Sequence, residues 1–169
     1  VGVFALLRTR KIQFTTHLIT QMAVSIAIAA VLNMLIIYRM PQGGSVTLAS
    51  MVPIYLLSFA YGPEVGMLSG FLFGIVDLML GASIYHPMQV LLDYPIPFMF
   101  VGLAGLLPRH ANLGMFLGTS IRLISHVLSG YIFFAEYAPE GTHPLLYSIT
   151  YNGSFLLADL AIAMIVMNI

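Results

Sequence analysis

Long apolar runs alternate with short polar punctuation along this chain, at intervals that suit helices crossing a bilayer. Apolar runs cover residues 17–37, 46–60, 65–82, 88–107, 112–134 and 144 to the end. Between them stand Met40-Pro41-Gln42-Gly43-Gly44-Ser45, Tyr61-Gly62-Pro63-Glu64, a polar turn over 83–87, Pro108-Arg109-His110 and a loop over 135–143. A helix that crosses the hydrocarbon core needs about 20 apolar residues, so the pattern predicts six spans joined by short loops. The runs are continuously apolar instead of alternating, which disfavours a closed β-barrel. The expected fold is an all-α integral membrane protein, a compact bundle of six transmembrane helices forming one domain over 1–169.

Composition narrows the function. Of the 169 residues, 60% are hydrophobic and 7% are charged, against about 45–50% and about 25% in soluble domains. Mean hydropathy is +0.99. Too little polar surface remains to coat a globule in water, so a soluble enzyme is excluded. Six Lys+Arg balance six Asp+Glu, leaving no basic surface for nucleic acid. Cysteine is absent, which removes disulfides, thiolate nucleophiles and Cys-ligated metal centres. No cleavable signal is expected, because the apolar run 1–7 is short and its basic cluster follows it. With the N-terminus in the cytoplasm, Arg8, Arg10, Lys11 and Arg109 fall inside and Arg39 outside, as the positive-inside rule requires. Both termini are then cytoplasmic, and the loops at 38–46, 83–88 and 135–143 face outward. The site is expected at that outer end.

Small residues recur every fourth position: Ala23 and Ala27, then Gly66, Gly70 and Gly74, then Gly114 and Gly118. Such stripes let backbones approach closely where lipid supplies no hydrophobic drive. The glycine stripes are expected to serve packing inside the bundle. A partner surface is the sharper reading, with helix 1 its best candidate.

Ionisable groups at membrane depth cost roughly 2.5–3.5 kcal/mol each at mid-bilayer and need a reason. Asp77, Asp93, Arg122, His126 and Asp159 are such groups. Arg122 can neutralise Asp77 or Asp159 and simply lock helices together. Around His126, however, other polar groups gather. Pro95 and Pro97 leave the carbonyls of Leu91 and Asp93 without helical donors, and irregular backbone at this depth belongs in protein or beside a cavity. Asp93, Tyr94, His126, Tyr147 and Asn152 map to the outer half of helices 4, 5 and 6, and the loop 133–141 is placed to lid them. One carboxylate, one imidazole, one amide and several rings suit a small, flat, cationic or heterocyclic ligand. An intramembrane enzyme using His126 with Asp93 as a general-base pair is the alternative from another class. No nucleophile motif, no H-E-x-x-H and no G-x-x-x-x-G-K-[ST] supports it. Asp93, His86 and His126 are too scattered to count as a metal motif, so no metal and no cofactor are expected.

Several blocks then match a known pattern in order. They are Pro41-Gln42-Gly43-Gly44-Ser45, His86-Pro87-Met88-Gln89-Val90-Leu91-Leu92-Asp93-Tyr94-Pro95, Ser125-His126-Val127-Leu128-Ser129-Gly130, Tyr137-Ala138-Pro139-Glu140-Gly141 and Tyr147-Ser148-Ile149-Thr150-Tyr151-Asn152-Gly153. Together they resemble the thiamine-specific substrate-binding subunits (S-components) of bacterial energy-coupling factor (ECF) vitamin transporters. The resemblance implies a six-helix bundle in the bacterial cell membrane that captures thiamine outside, under the loop between helices 1 and 2. It places Asp93 against the charged or amino-bearing part of thiamine, with Tyr94 beside it. His126, Tyr147 and Asn152 would hydrogen-bond the aminopyrimidine, with Gly130 next to the histidine. Phe134 would stack where the family often has tryptophan, a residue this chain lacks. Ala23 and Ala27 would meet the transmembrane coupling subunit, and two ATPase subunits would supply the energy. A subunit for another vitamin, riboflavin- or biotin-like, is the alternative within transport. With no strong cationic cluster in the outer loops, little preference for phosphorylated ligands is expected.

Overall fold

A computed structural model describes residues 12–81 and 83–169; the basic cluster Arg8, Arg10 and Lys11 lies outside these residues. Helix α1 (Thr16–Met34) starts where Thr15 caps it, the threonine Oγ1 accepting from the Leu18 N–H at 3.3 Å. It ends three residues short of the expected 37. The apolar stretch after it leaves the helix and pairs instead, as strand β1 (Ile36–Arg39) antiparallel to β2 (Ser45–Thr47). The turn between them bends at Gly43, whose φ of 98° is open to glycine and strained for other residues. Helix α2 (Val52–Tyr61) consequently begins at 52, not 46, with Pro53 in its first turn, where the missing N–H costs nothing.

Gly62 separates α2 from α3 (Pro63–Met79). The fourth span is broken: α4 (Pro87–Asp93) and α5 (Pro95–Val101) meet at Tyr94 and continue as a 3-10 turn, Gly102–Leu106. Proline 95 forces the break, and the Ser125 Oγ donates across it to the carbonyl of Leu92 at 2.7 Å. Helix α6 (Ala111–Phe133), a short 3-10 turn (Ala135–Tyr137) and α7 (Pro144–Asn168) complete the chain. The six expected helical segments are thus present. Four of them, Thr16–Met34, Pro87–Leu106, Ala111–Phe133 and Pro144–Asn168, are long and apolar enough to cross a membrane. Helix α2, with 10 residues, rises only about 15 Å, because the hairpin occupies the chain that the sequence pattern gave to its first turns.

The glycine stripes work inside the bundle, as expected. A Cβ on Gly74 would stand 2.6 Å from the Tyr94 carbonyl oxygen, and one on Gly70 would overlap the Phe98 carbonyl. On the opposite side, a Cβ at Gly114 or Gly118 would press on the carbonyls of Ala104 and Val101. The broken span α4–α5 is therefore gripped between α3 and α6. Below it lies the main apolar core, including Ile54, Tyr55, Phe73, Val101 and Met115. Ala23 and Ala27 instead sit on an exposed face of α1, a helix with only Leu18, Met22 and Ala29 buried.

The bundle has two unlike ends. At one, the side chains of Tyr61 and Gln21 join α2 to α1, and Asn168 donates to Asn112 Oδ1 at 2.9 Å. At the other, the hairpin, the segment before α4 and the top of α7 surround an opening.

Candidate ligand pocket

That opening is a cavity of about 430 Å³, within the ordinary range for small-molecule sites. All seven residues expected from sequence line it: Asp93, Tyr94, His126, Gly130, Phe134, Tyr147 and Asn152. The break at Tyr94 is what delivers Asp93. It ends α4 early, so the carboxylate stands at a helix terminus facing α6 instead of being turned along a continuous helix.

Asp93 lies close to an amide and an imidazole. Gln89 Nε2 donates to Oδ2 at 2.7 Å, and His126 Nδ1 lies 3.4 Å from Oδ1. One turn below, the Arg122 Nε–H points at His126 Nε2 at 3.4 Å. A guanidinium can only donate, so Nε2 accepts and the proton of a neutral imidazole sits on Nδ1, toward Asp93. Arg122 itself packs over the Phe98 ring, 4.4 Å from its centre, and reaches Asp159 Oδ2 at 3.9 Å. Asp159 also accepts from the Thr47 N–H at 3.1 Å and its Oγ1 at 2.9 Å, which anchors the foot of the hairpin. Of the two carboxylates open to Arg122, Asp159 is thus its partner. Asp77 is held by Asn33 of α1 at 2.6 Å.

The lining holds three carboxylates, Asp77, Asp93 and Asp159, against two guanidiniums, Arg39 and Arg122, which leaves it one negative charge. Among the described residues, Asp93 has no Lys or Arg within ion-pair distance. Asp77 likewise has none, so a cation entering the cavity meets two carboxylates without a Lys or Arg partner, of which Asp93 stands among the expected site residues.

Helix α7 supplies the opposite wall. Tyr147, Tyr151 and Phe155 follow each other at four-residue spacing, their ring centres 5.9 and 6.0 Å apart. Asn152, buried between them and α6, donates through Nδ2 to the Ser148 carbonyl at 2.9 Å and the His126 carbonyl at 3.3 Å. Gly130 lets this happen, because a Cβ there would overlap Ser148 Oγ and stand 3.2 Å from Asn152 Nδ2. The hairpin closes over the same wall. The Tyr151 hydroxyl accepts from the backbone N–H groups of Gln42 and Gly44, both at 3.2 Å, and Tyr147 donates to Gln42 Oε1 at 3.4 Å. Of the loop expected to act as a lid over 133–141, only Phe134 reaches the cavity, braced edge-on by Tyr85 at 5.2 Å.

Gln89, Ser148, Tyr151 and Phe155 line the cavity and were not among the expected site residues. Their signal was the four-residue step from an expected one: Gln89 to Asp93, Ser148 to Asn152, and Tyr147 to Tyr151 to Phe155.

Residues 19–169 match the model of the family described as "Thiamine transporter protein (Thia_YuaJ)". The chain is 34% identical to the thiamine transporter ThiT of Bacillus subtilis, the match covering 87% of this chain and 86% of that one. It is 31% identical to ThiT of Lacticaseibacillus paracasei, covering 70% and 69%. A solved structure of ThiT from Listeria monocytogenes superposes with a TM-score of 0.80 at 23% identity, over 89% of this chain and 91% of that one. That likeness establishes the shared helical fold.

Proposed function

The chain belongs to the thiamine transporter protein family (Thia_YuaJ), and from that premise we propose that its pocket is the thiamine site. It is a multi-pass protein of the bacterial plasma membrane. Its relatives are named as transporters, which sets aside the reading of His126 and Asp93 as an enzyme's base pair. The observation that carries the proposal is Asp93: a carboxylate at a cavity wall, held by Gln89 and His126 and, among the described residues, with no Lys or Arg within ion-pair distance. Thiamine is a flat aminopyrimidine joined to a permanently cationic thiazolium, and it satisfies such a wall. Asp93 meets the positive or amino-bearing part, with Tyr94 beside it. His126, Tyr147 and Asn152 serve the pyrimidine, and Phe134 offers a ring face.

The hairpin then acts as the lid, released and reseated through its bonds to Tyr151 and Thr47. The pocket faces outward and both termini lie in the cytoplasm. Arg109 falls at the closed end and Arg39 at the open one, in keeping with the positive-inside rule. Ala23 and Ala27, exposed on α1, form the surface that meets an ECF transmembrane coupling subunit, itself driven by two ATPase subunits. Mass spectrometry of ligand released from protein purified out of vitamin-replete cells tests the substrate. Thiamine is expected; riboflavin or biotin in its place would overturn the assignment.

A further inference from the structure

Gln89, on the short helix α4, is 1% exposed. Its Nε2 donates to Asp93 Oδ2 at 2.7 Å and to the Ser83 carbonyl at 3.2 Å, while its Oε1 accepts from the Tyr85 N–H at 3.1 Å. The partners fix which way the amide points. Turned over, it would set its carbonyl oxygen against a carboxylate and a second carbonyl, and its NH2 against an N–H. Gln89 therefore engages Oδ2, while Oδ1, which faces His126 Nδ1 at 3.4 Å, keeps a second lone pair for a ligand. The same amide grips the backbone of 83–85, and the Tyr94 hydroxyl adds a bond from the Ser83 N–H at 3.0 Å. This segment is a second part of the roof. A Cβ on Gly43, at the hairpin tip, would stand 3.7 Å from Ser83 Oγ, and both residues line the cavity. One buried amide thus joins the proposed cation-binding carboxylate to the segment that meets the lid.

We infer that Gln89 is a positioning residue for the ligand: it aims Asp93 at the bound cation and links that contact to the seating of 83–85 against the hairpin. The inference rests on the thiamine reading above. A double-mutant cycle tests it, with labelled thiamine in equilibrium dialysis against the wild type, Gln89→Met, Asp93→Ala and the double variant. Gln89→Met is expected to weaken binding about tenfold in the wild-type background, a coupling usual for residues in contact. In the Asp93→Ala background it is expected to cost less than twofold. A loss of equal size in both backgrounds would overturn the inference, since a residue that only fills space under the loop acts independently of Asp93. If Gln89→Met does not extract as a monodisperse species, Gln89→Glu takes its place in the cycle. It keeps the shape and sets two carboxylates together, so its loss should exceed tenfold and be largely relieved by Asp93→Ala; a loss that persists there overturns the inference. A folded wild type that binds no thiamine refutes the substrate reading instead, which separates the two failures.

Discussion

A half-buried carboxylate whose partners are an amide and an imidazole stands at a cost unless something positive completes it, and Asp93 is in that position. Replacing it with alanine removes a charge-assisted contact worth roughly 1.5–3 kcal/mol. Thiamine should then bind about tenfold to a hundredfold more weakly, measured by equilibrium dialysis on protein that remains monodisperse. Unchanged affinity would take Asp93 out of the site. This residue and its neighbours were legible from sequence because they are expensive where they stand: an acid, an imidazole and two prolines inside apolar runs demand an explanation. Tyr151, Phe155 and Gln89 were not singled out, because a ring or an amide in a membrane helix raises no such demand. Which acid Arg122 chooses was also open. Two candidates lay at suitable depths, and only the packing of α7 against the hairpin selects Asp159.

Among the elements, the hairpin carries the clearest kinetic consequence. Tyr151 holds it by a single oxygen that accepts from two backbone N–H groups. Tyr151→Phe keeps the ring and deletes that oxygen. With each neutral hydrogen bond worth about 0.5–1.5 kcal/mol net and two lost, labelled thiamine should leave roughly fivefold to a hundredfold faster in a stopped-flow chase, with little change in association. An unaltered dissociation rate would mean that the latch lies elsewhere. The hairpin was hidden in the sequence. Leu35-Ile36-Ile37-Tyr38 continues the apolar run of α1 without a break, and only Gly43 and Gly44 betray a turn. The start of α2 was better marked, by Pro53, than the apolar pattern allowed. Helix α1 makes the opposite case, since the spacing of Ala23 and Ala27 and the family resemblance both point to a face that is exposed. Ala23→Trp combined with Ala27→Trp should leave thiamine affinity and melting temperature intact while abolishing uptake of labelled thiamine in cells with the complete ATP-driven module. Lost binding would mean that the face supports the fold, and normal uptake that docking occurs elsewhere.

For the molecule as a whole, the division of labour follows from where polar groups are tolerated. Glycine contacts grip the broken span so that its irregular backbone is enclosed by α3 and α6, and the polar residues collect at one end beneath the hairpin. The helix count and the broken fourth span were readable because membrane helices must be long, apolar and interrupted only for cause. The pairing of chain over 36–47 was not, because it depends on contacts with α7 more than a hundred residues away. The central claim is that this cavity, in which Asp93 has no Lys or Arg partner among the described residues, exists to take thiamine. Calorimetric titration of the purified protein with thiamine tests it most directly: saturable heat at one thiamine per chain is the predicted result, and the absence of any saturable binding by folded, monodisperse protein would contradict the account.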